Sequence, residues 1–206
     1  MEIITKKLNF TETLTDGVKS GIANFFPLFL TTLLYIITCW IPYLNVGTTV
    51  GFYRAILKIS KGESVDPVAI FNKENFNQIG DVFLLLGLMS MGITIGLCFM
   101  ILPAIVISIA WGYAIYILID RKETPTKALT LSYKITLGEK WTIFFLNLVV
   151  VLCIGLIAWI LSLIPAVGSI LAFLASLVMA AIYIGVEASI YKRLSEKFIE
   201  EGEVKE

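Results

Sequence analysis

The sequence predicts an all-α fold: a polytopic transmembrane helix bundle of six spans, built from three proline-tipped hairpins with cytoplasmic amphipathic connector helices. Three observations support this prediction. Hydrophobic residues make up 58% of the 206 residues and charged residues only 16%, whereas about a quarter of a soluble domain is charged. An aliphatic residue followed by proline recurs 61 and then 62 residues further on. Every Lys and Arg lies away from these prolines, which are Pro42, Pro103 and Pro165.

Composition also excludes several classes of function. There is no histidine, which excludes imidazole catalysis and His-based metal sites. Sixteen basic residues balance sixteen acidic ones, so charge gives no support for nucleic-acid binding. Cys39, Cys98 and Cys153 each lie in an apolar run and are expected to be small buried residues, not a disulfide framework or ligands. Phosphate loops and nucleophile motifs are missing, so we expect no enzymatic activity and no cofactor or metal.

The first 24 residues are interpreted as a retained cytoplasmic segment, because no convincing cleavage site follows Lys6 and Lys7. Leu14, Val18 and Ile22 recur at helical spacing among polar residues. This pattern predicts an amphipathic helix that leads into the membrane.

Each hairpin is predicted from length and proline. As one helix, residues 25–59 would run about 52 Å, too long for a hydrocarbon core of about 30 Å, so the chain must turn near Pro42. Residues 79–119 repeat this design around Pro103, and residues 141–191 repeat it around Pro165. The fourth span, 104–119, would be only about 24 Å long, which predicts local thinning of the bilayer, extension into the interface or a partly re-entrant segment.

The polar connectors carry helix-start signals of their own. Asp66-Pro67 opens one amphipathic stretch, and Thr124-Pro125 opens another that ends at Gly138. We therefore expect one membrane domain over residues 1–206, with internal repeats of amphipathic helix and hairpin at about 11–60, 65–122 and 125–194. Residues 195–206 are expected to form a polar, solvated tail.

The orientation of the protein in the membrane is predicted from its basic residues, because Lys and Arg are enriched in cytoplasmic loops. Three precede the first span, four and five lie between hairpins, and four follow the last span. The protein is therefore expected in the bacterial cytoplasmic (inner) membrane, as a multi-pass protein with both termini in the cytoplasm. Interfacial anchoring is expected at five aromatic residues, which are Trp40, Tyr43, Tyr116, Trp141 and Tyr191.

A further pattern is formed by Leu102-Pro103-Ala104-Ile105, Tyr113, Tyr116, Asp120, Pro125, Ala128-Leu129, Ser132, Gly138-Glu139-Lys140-Trp141 and Phe145. Through these residues part of the chain, roughly 79–192, resembles an uncharacterised family of bacterial six-span membrane proteins, which are similar to the membrane domains fused to some glycerophosphodiester phosphodiesterases. The resemblance implies a fold and a compartment, and it brings no established activity. No phosphodiesterase domain is expected in this chain.

Ionisable groups in apolar segments are candidates for function because they are costly there. Arg54, Asp81, Asp120 and Glu187 all fall toward cytoplasmic span ends, and Glu187 could pair with Arg54. They are interpreted as interfacial ion pairs or, alternatively, as a proton or ion site. Asn147 could line a polar path or hydrogen-bond between helices, together with Thr31, Thr32, Thr38, Thr48, Thr49, Ser90, Thr94 and Ser108.

Small residues recur at four-residue spacing and let helix backbones approach closely. They predict tight packing within the bundle or, alternatively, a subunit interface. The positions are Gly47 and Gly51, Gly92 and Gly96, Ala172, Ser176 and Ala180, and Ala181 and Gly185.

Two functions from different classes fit this pattern. The first is a non-enzymatic scaffold, assembly factor or accessory subunit of a membrane complex; the alternative is a transporter or channel for a lipid-like or weakly polar solute. A lipid-modifying enzyme has the least support. Expected partners are membrane lipids, and a protein partner or second copy of the chain that binds through the small-residue faces or the amphipathic helices. A dry, filled bundle favours the scaffold, whereas polar side chains that converge on a cavity favour the transporter.

Overall fold

The computed structural model describes residues 8–164 and 168–203, and within these ranges it is helical with no strand. The all-α prediction is confirmed for this part of the chain. Two short 3-10 helices, Pro67–Phe71 and Lys73–Gln78, join the first helices to the rest. The α-helices are α1 (Phe10–Ala23), α2 (Phe25–Thr38), α3 (Pro42–Ser60), α4 (Ile79–Phe99), α5 (Ile101–Trp111), α6 (Ala114–Arg121), α7 (Pro125–Thr136), α8 (Lys140–Ser162) and α9 (Gly168–Glu203).

Among the described residues, four segments are long and apolar enough to cross a membrane, and the number rises to five if α1 and α2, bent by 78°, count as one span. Six spans were predicted. The helix α3 is not among the candidates, because Thr, Asn and Gly residues and the basic Arg54 and Lys58 lower its hydropathy. The candidates are Lys73–Phe99, Ile101–Arg121, Lys140–Ser162 and Ile170–Glu196.

The prolines lie close to helix starts. Pro42 is the first residue of α3, where its missing N–H leaves no hydrogen bond unmade. In the second hairpin the break lies at the extended residue Met100, so Pro103 is the third residue of α5 and not the residue at the turn. Pro165, the third predicted tip, lies outside the described residues.

The short fourth span predicted over 104–119 is a longer, broken helix. The apolar segment Ile101–Arg121 has 21 residues, and a turn at Gly112 and Tyr113 divides it into α5 and α6. The break frees the carbonyl of Ala110, which accepts hydrogen bonds from the hydroxyls of Ser132 at 2.7 Å and Thr136 at 3.5 Å. Irregular backbone is tolerated at membrane depth only where neighbouring groups satisfy it in this way.

The two predicted connectors differ. The second is α7, which begins at Pro125 and ends just before Gly138, a residue with φ of 82°. The first is not one amphipathic α-helix, because the extended backbone of Asn72 divides it into the two 3-10 helices. Asp66 caps the first of these, and its Oδ1 accepts from the Val68 N–H at 3.0 Å.

The amphipathic helix α1 approaches α9 most closely at small residues, whereas Leu14 of the predicted apolar stripe is half-buried against the core. Thr13, Gly17 and Gly21 are buried, whereas Ile22 is exposed. A Cβ placed on Gly185 would overlap the carbonyl oxygen of Gly17. The two backbones are therefore in direct contact, as small residues allow.

Charged side chains gather at one end of the bundle. Arg193 of α9 pairs with Glu12 at 3.1 Å and with Asp16 at 2.6 Å, both on α1. Asp120 accepts hydrogen bonds from Lys61 at 2.5 Å and from the Tyr191 hydroxyl at 3.0 Å. We call this region the polar end.

Elsewhere the surface of the described residues is largely apolar, as a lipid-facing surface requires. Large exposed side chains on α4 and α8 include Phe83, Met91, Leu97, Leu152 and Trp159. Two details of the sequence interpretation are wrong. Cys98 and Cys153 are exposed, not buried. Trp40, Tyr43 and Trp141 are exposed, but Tyr116 and Tyr191 are buried and therefore do not act as surface anchors.

Candidate functional site

A cavity of about 500 Å³ lies between α3, the α5–α6 break, α8 and α9. Aromatic and polar side chains form much of its wall: Tyr53, Ser108, Tyr113, Tyr116, Asn147, Tyr183 and Glu187. The remaining wall is apolar or small: Phe52, Ile56, Ile109, Gly112, Ile143, Ala180 and Ile184.

Glu187 provides the one carboxylate among the described lining residues, and no Lys or Arg lies among them. Side-chain hydrogen bonds join its carboxyl group to Tyr113, Tyr183 and Asn147. Glu187 is half-buried and lines the cavity, so its acidic group is accessible to a molecule in the cavity. The α5–α6 break and α8 thus each bring one polar side chain to an acid on α9.

Helical periodicity explains how each element presents its side chains. Residues four apart lie on the same helix face, which brings Tyr183 and Glu187 together on α9 and places Asn147 on the same side of α8 as Ile143. Tyr113 reaches the cavity differently, because it lies in the break between α5 and α6. The break is in the middle of the Ile101–Arg121 segment, about half-way along a candidate span.

An aromatic cluster connects the cavity with the polar end. Tyr116 contacts Tyr53 edge-on at a centroid distance of 4.9 Å and stacks on Tyr191 at 5.1 Å. Tyr191 in turn donates to Asp120. Tyr53, Tyr113, Tyr116 and Tyr183 were not predicted as site residues. The spacing of Tyr183, Glu187 and Tyr191, each four residues from the next, is the sequence signal that identifies this face.

Of the five predicted polar or ion-pair positions, only Asn147 and Glu187 line this cavity. Arg54, suggested as the partner of Glu187, instead lies 3.5 Å from Glu74 and donates to Gln78 at 3.4 Å. Asp81 is exposed in the first turn of α4, and Asp120 is at the polar end. The suggested Arg54–Glu187 pair is therefore wrong.

Arg54 and Asp120 line a second crevice, of about 400 Å³, at the polar end. Its charged lining is balanced, with four basic and four acidic side chains: Arg54, Lys58, Lys61, Lys122, Glu63, Asp66, Glu74 and Asp120. Two of the basic groups already form the Arg54–Glu74 and Lys61–Asp120 pairs. This balance gives no preference for a charged ligand.

The predicted small-residue positions mostly make contacts within the chain. A Cβ on Gly47 would meet the Phe76 ring, and one on Gly92 would meet the Trp111 ring. Gly51, Gly96 and Gly185 lie against the backbone of Ile70, Ala104 and Gly17 respectively. Ala180 lines the cavity, and Ala172 and Ser176 are half-buried.

Most of the predicted hydroxyl groups bond to their own helix. Thr31, Ser90, Thr94 and Ser108 each donate to a carbonyl three or four residues earlier. Thr38 and Thr48 also join α2 to α3 through a 3.1 Å hydrogen bond. Of this set, Ser108 lines the cavity together with Asn147.

Within the described ranges, no three Cys, Asp or Glu side chains come close enough to hold a metal ion. Comparisons with protein-family models, with curated proteins and with solved structures find no match. The resemblance to the six-span bacterial family therefore stays a prediction.

Proposed function

We propose that the protein is a membrane carrier that binds a small, weakly polar solute in this cavity and moves it across the bilayer. The observation that carries the proposal is the convergence of Glu187, Asn147 and Tyr113 beside a helix break in the middle of an apolar segment. Polar side chains that meet at a cavity distinguish a carrier from a filled scaffold.

Two features of this region are energetically costly inside a membrane. An acidic side chain inside an apolar segment is expensive and marks a functional position by default. A broken helix at membrane depth leaves backbone groups unpaired, and here Ser132 and Thr136 satisfy them. A bundle that served only as a scaffold would gain nothing from either feature, whereas carriers use broken helices to form solute sites.

The proposal places the protein in the bacterial cytoplasmic membrane with six spans and both termini in the cytoplasm. In support, Leu33, Ile36 and Ile37 of α2 are exposed, as in a helix that contacts lipid, and α2 pairs with α3. A reporter active only outside the cytoplasm should give signal when fused at Leu44 and none at Lys122. The reverse result contradicts this orientation.

Solute flux into proteoliposomes tests the carrier. Osmotic swelling with a panel of amines, amino acids and polyols should identify at least one permeant solute. Asn147→Leu and Ala180→Trp, which alter or fill the cavity, should abolish that flux. Ala172→Trp, two turns away on the same helix α9 and outside the cavity lining, is the matched control. Equal flux in all variants, or none in the wild type, contradicts the proposal.

The scaffold role is the second candidate, and one observation favours it. The connectors carry exposed apolar side chains, Val68 and Phe71 on the first and Tyr133 and Leu137 on or beside α7. Such side chains suit a docked protein or the membrane interface. Recovery of a stoichiometric partner from mild detergent, lost in a Val68→Ser, Leu137→Ser double variant, would support this role.

A further inference from the structure

We propose that the solute is an organic ammonium ion, bound with its charged nitrogen against Glu187 and its carbon body against the apolar wall. This inference rests on the proposed function, because it assigns the chemical class of occupant to the same cavity. Three independent properties of the lining support it: charge, hydrogen-bonding capacity and the chemistry of the rings.

The charge of the lining is uncompensated. Glu187 faces the cavity with no Lys or Arg among the described lining residues, and Arg54 is engaged with Glu74 outside the cavity. A partly buried carboxylate is stabilised when a positive charge lies beside it, because the surrounding protein screens the attraction less than water does. A cationic solute supplies that charge, whereas an anionic solute would add a second negative charge in a poorly screened site.

The hydrogen-bonding capacity of Glu187 is the second property. A carboxylate accepts only, so Tyr113, Tyr183 and the amide nitrogen of Asn147 are the groups that donate to Glu187. A carboxylate has about four lone-pair sites, so these three hydrogen bonds leave capacity for a further donor. An ammonium group supplies that donor, and a solute with acceptors only does not.

The rings provide the third property. Tyr53, Tyr113, Tyr116, Tyr183 and Phe52 line the cavity, and the faces of such rings attract cations. Ile109, Ile143 and Ile184 give an apolar surface for a carbon skeleton. A volume of about 500 Å³ lies within the usual range for small-molecule pockets, so an amine with an aromatic or aliphatic body has room.

Binding of two matched probes to the full-length protein in mild detergent tests the inference. 2-Phenylethylamine carries the ammonium group, and 2-phenylethanol has nearly the same shape without the charge. Isothermal titration calorimetry should show that the wild type binds the amine at least about 10-fold more tightly than the alcohol. Glu187→Gln keeps the shape of the side chain and should reduce amine affinity by about 10-fold or more. Glu196→Gln, an exposed acid on the same helix, should bind the amine like the wild type.

Each outcome decides between the proposals. Equal affinity for amine and alcohol in the wild type, or full amine affinity in Glu187→Gln, overturns the ammonium assignment and leaves the carrier in place if uncharged solutes still enter proteoliposomes. Amine binding without flux of any solute overturns the carrier and retains the site. The comparison of the two probes uses the wild type alone, so a failure of Glu187→Gln to fold does not remove the test.

Discussion

Two faces of the same stretch of α9 pack in opposite ways. On one face, Gly185 and Ala181 lie against the backbone of α1, so closely that a Cβ on Gly185 would overlap the Gly17 carbonyl oxygen. On the other, Tyr183 and Glu187 border a cavity of about 500 Å³. The first face has no free volume, and the second has room for a small molecule.

This difference shows where the sequence uses small residues and where it uses polar ones. Close contact between the backbones at Gly17, Gly21 and Gly185 joins α1 to α9. The cavity face lacks such packing and instead concentrates aromatic and polar groups at the α5–α6 break.

The largest effect is expected at the tight face. Gly185→Ala forces the α1 and α9 backbones apart, because the new methyl group would meet backbone atoms of Gly17 and Gly21, which have no freedom to rotate away. The expected loss of stability is about 3 kcal/mol, the upper end for overpacking. Thermal unfolding in mild detergent measures it.

Gly155→Ala on α8 is the matched control, because nothing lies within 4 Å of the position that its new methyl group would take. Replacing a helical Gly by Ala at such an open site should stabilise the protein by up to about 1 kcal/mol. Similar unfolding temperatures for the two variants would mean that α1 and α9 do not pack as described.

A pair of adjacent residues compares the two faces directly. Ala181→Leu adds bulk on the buried side that contacts Gly21 and should destabilise the protein by about 2 kcal/mol. Ala180→Leu places the same larger side chain in the cavity, where there is space for it, and should leave the unfolding temperature unchanged or raise it. Equal destabilisation by both substitutions would contradict the presence of free volume beside Ala180.

The sequence predicts local features well. The apolar runs, the helix that begins at Pro42 and the connector from Pro125 to the region of Gly138 all follow from composition, proline chemistry and turn residues. Gly17 and Gly21, which were not among the predicted packing positions, have the same four-residue spacing of small residues as those that were. Of the predicted apolar stripe on α1, Leu14 packs against the core and Ile22 is exposed, because Gly17 and Gly21 make the closest contact with α9.

The cavity could not be predicted from local sequence. Tyr113 and Glu187 are far apart in the chain, and only the packing of α5, α6 and α9 brings them together. The break that positions Tyr113 contains no proline. It is stabilised by hydrogen bonds to the Ala110 carbonyl from Ser132 and Thr136, which belong to α7. Arg54 was assigned to Glu187 because both are isolated charges, whereas the 3-10 helix segment gives it a closer partner in Glu74.

A smaller effect is expected at the helix break beside the cavity. Ser132→Ala removes the 2.7 Å hydrogen bond to the Ala110 carbonyl and leaves only the longer one from Thr136. The expected loss is about 1 to 2 kcal/mol, the cost of an under-satisfied buried polar group. Ser90→Ala, which removes an exposed bond within α4, should change stability by less than about 0.5 kcal/mol. If Ser132→Ala lowered stability as little as Ser90→Ala does, the helix break would not depend on α7.

The smallest effect is expected where the tight face meets water. Arg193→Ala removes the ion pairs to Glu12 and Asp16, which hold the start of α1 on α9 but whose acidic side chains are more than half exposed. The expected loss is at most about 1 kcal/mol at low salt, and it should shrink at about 1 M salt because screening weakens exposed pairs. Lys192→Ala, the exposed neighbour, should leave unfolding unchanged at either salt concentration. A loss for Arg193→Ala that is large and independent of salt would show that the pair, and not Gly17, Gly21 and Gly185, holds α1 in place.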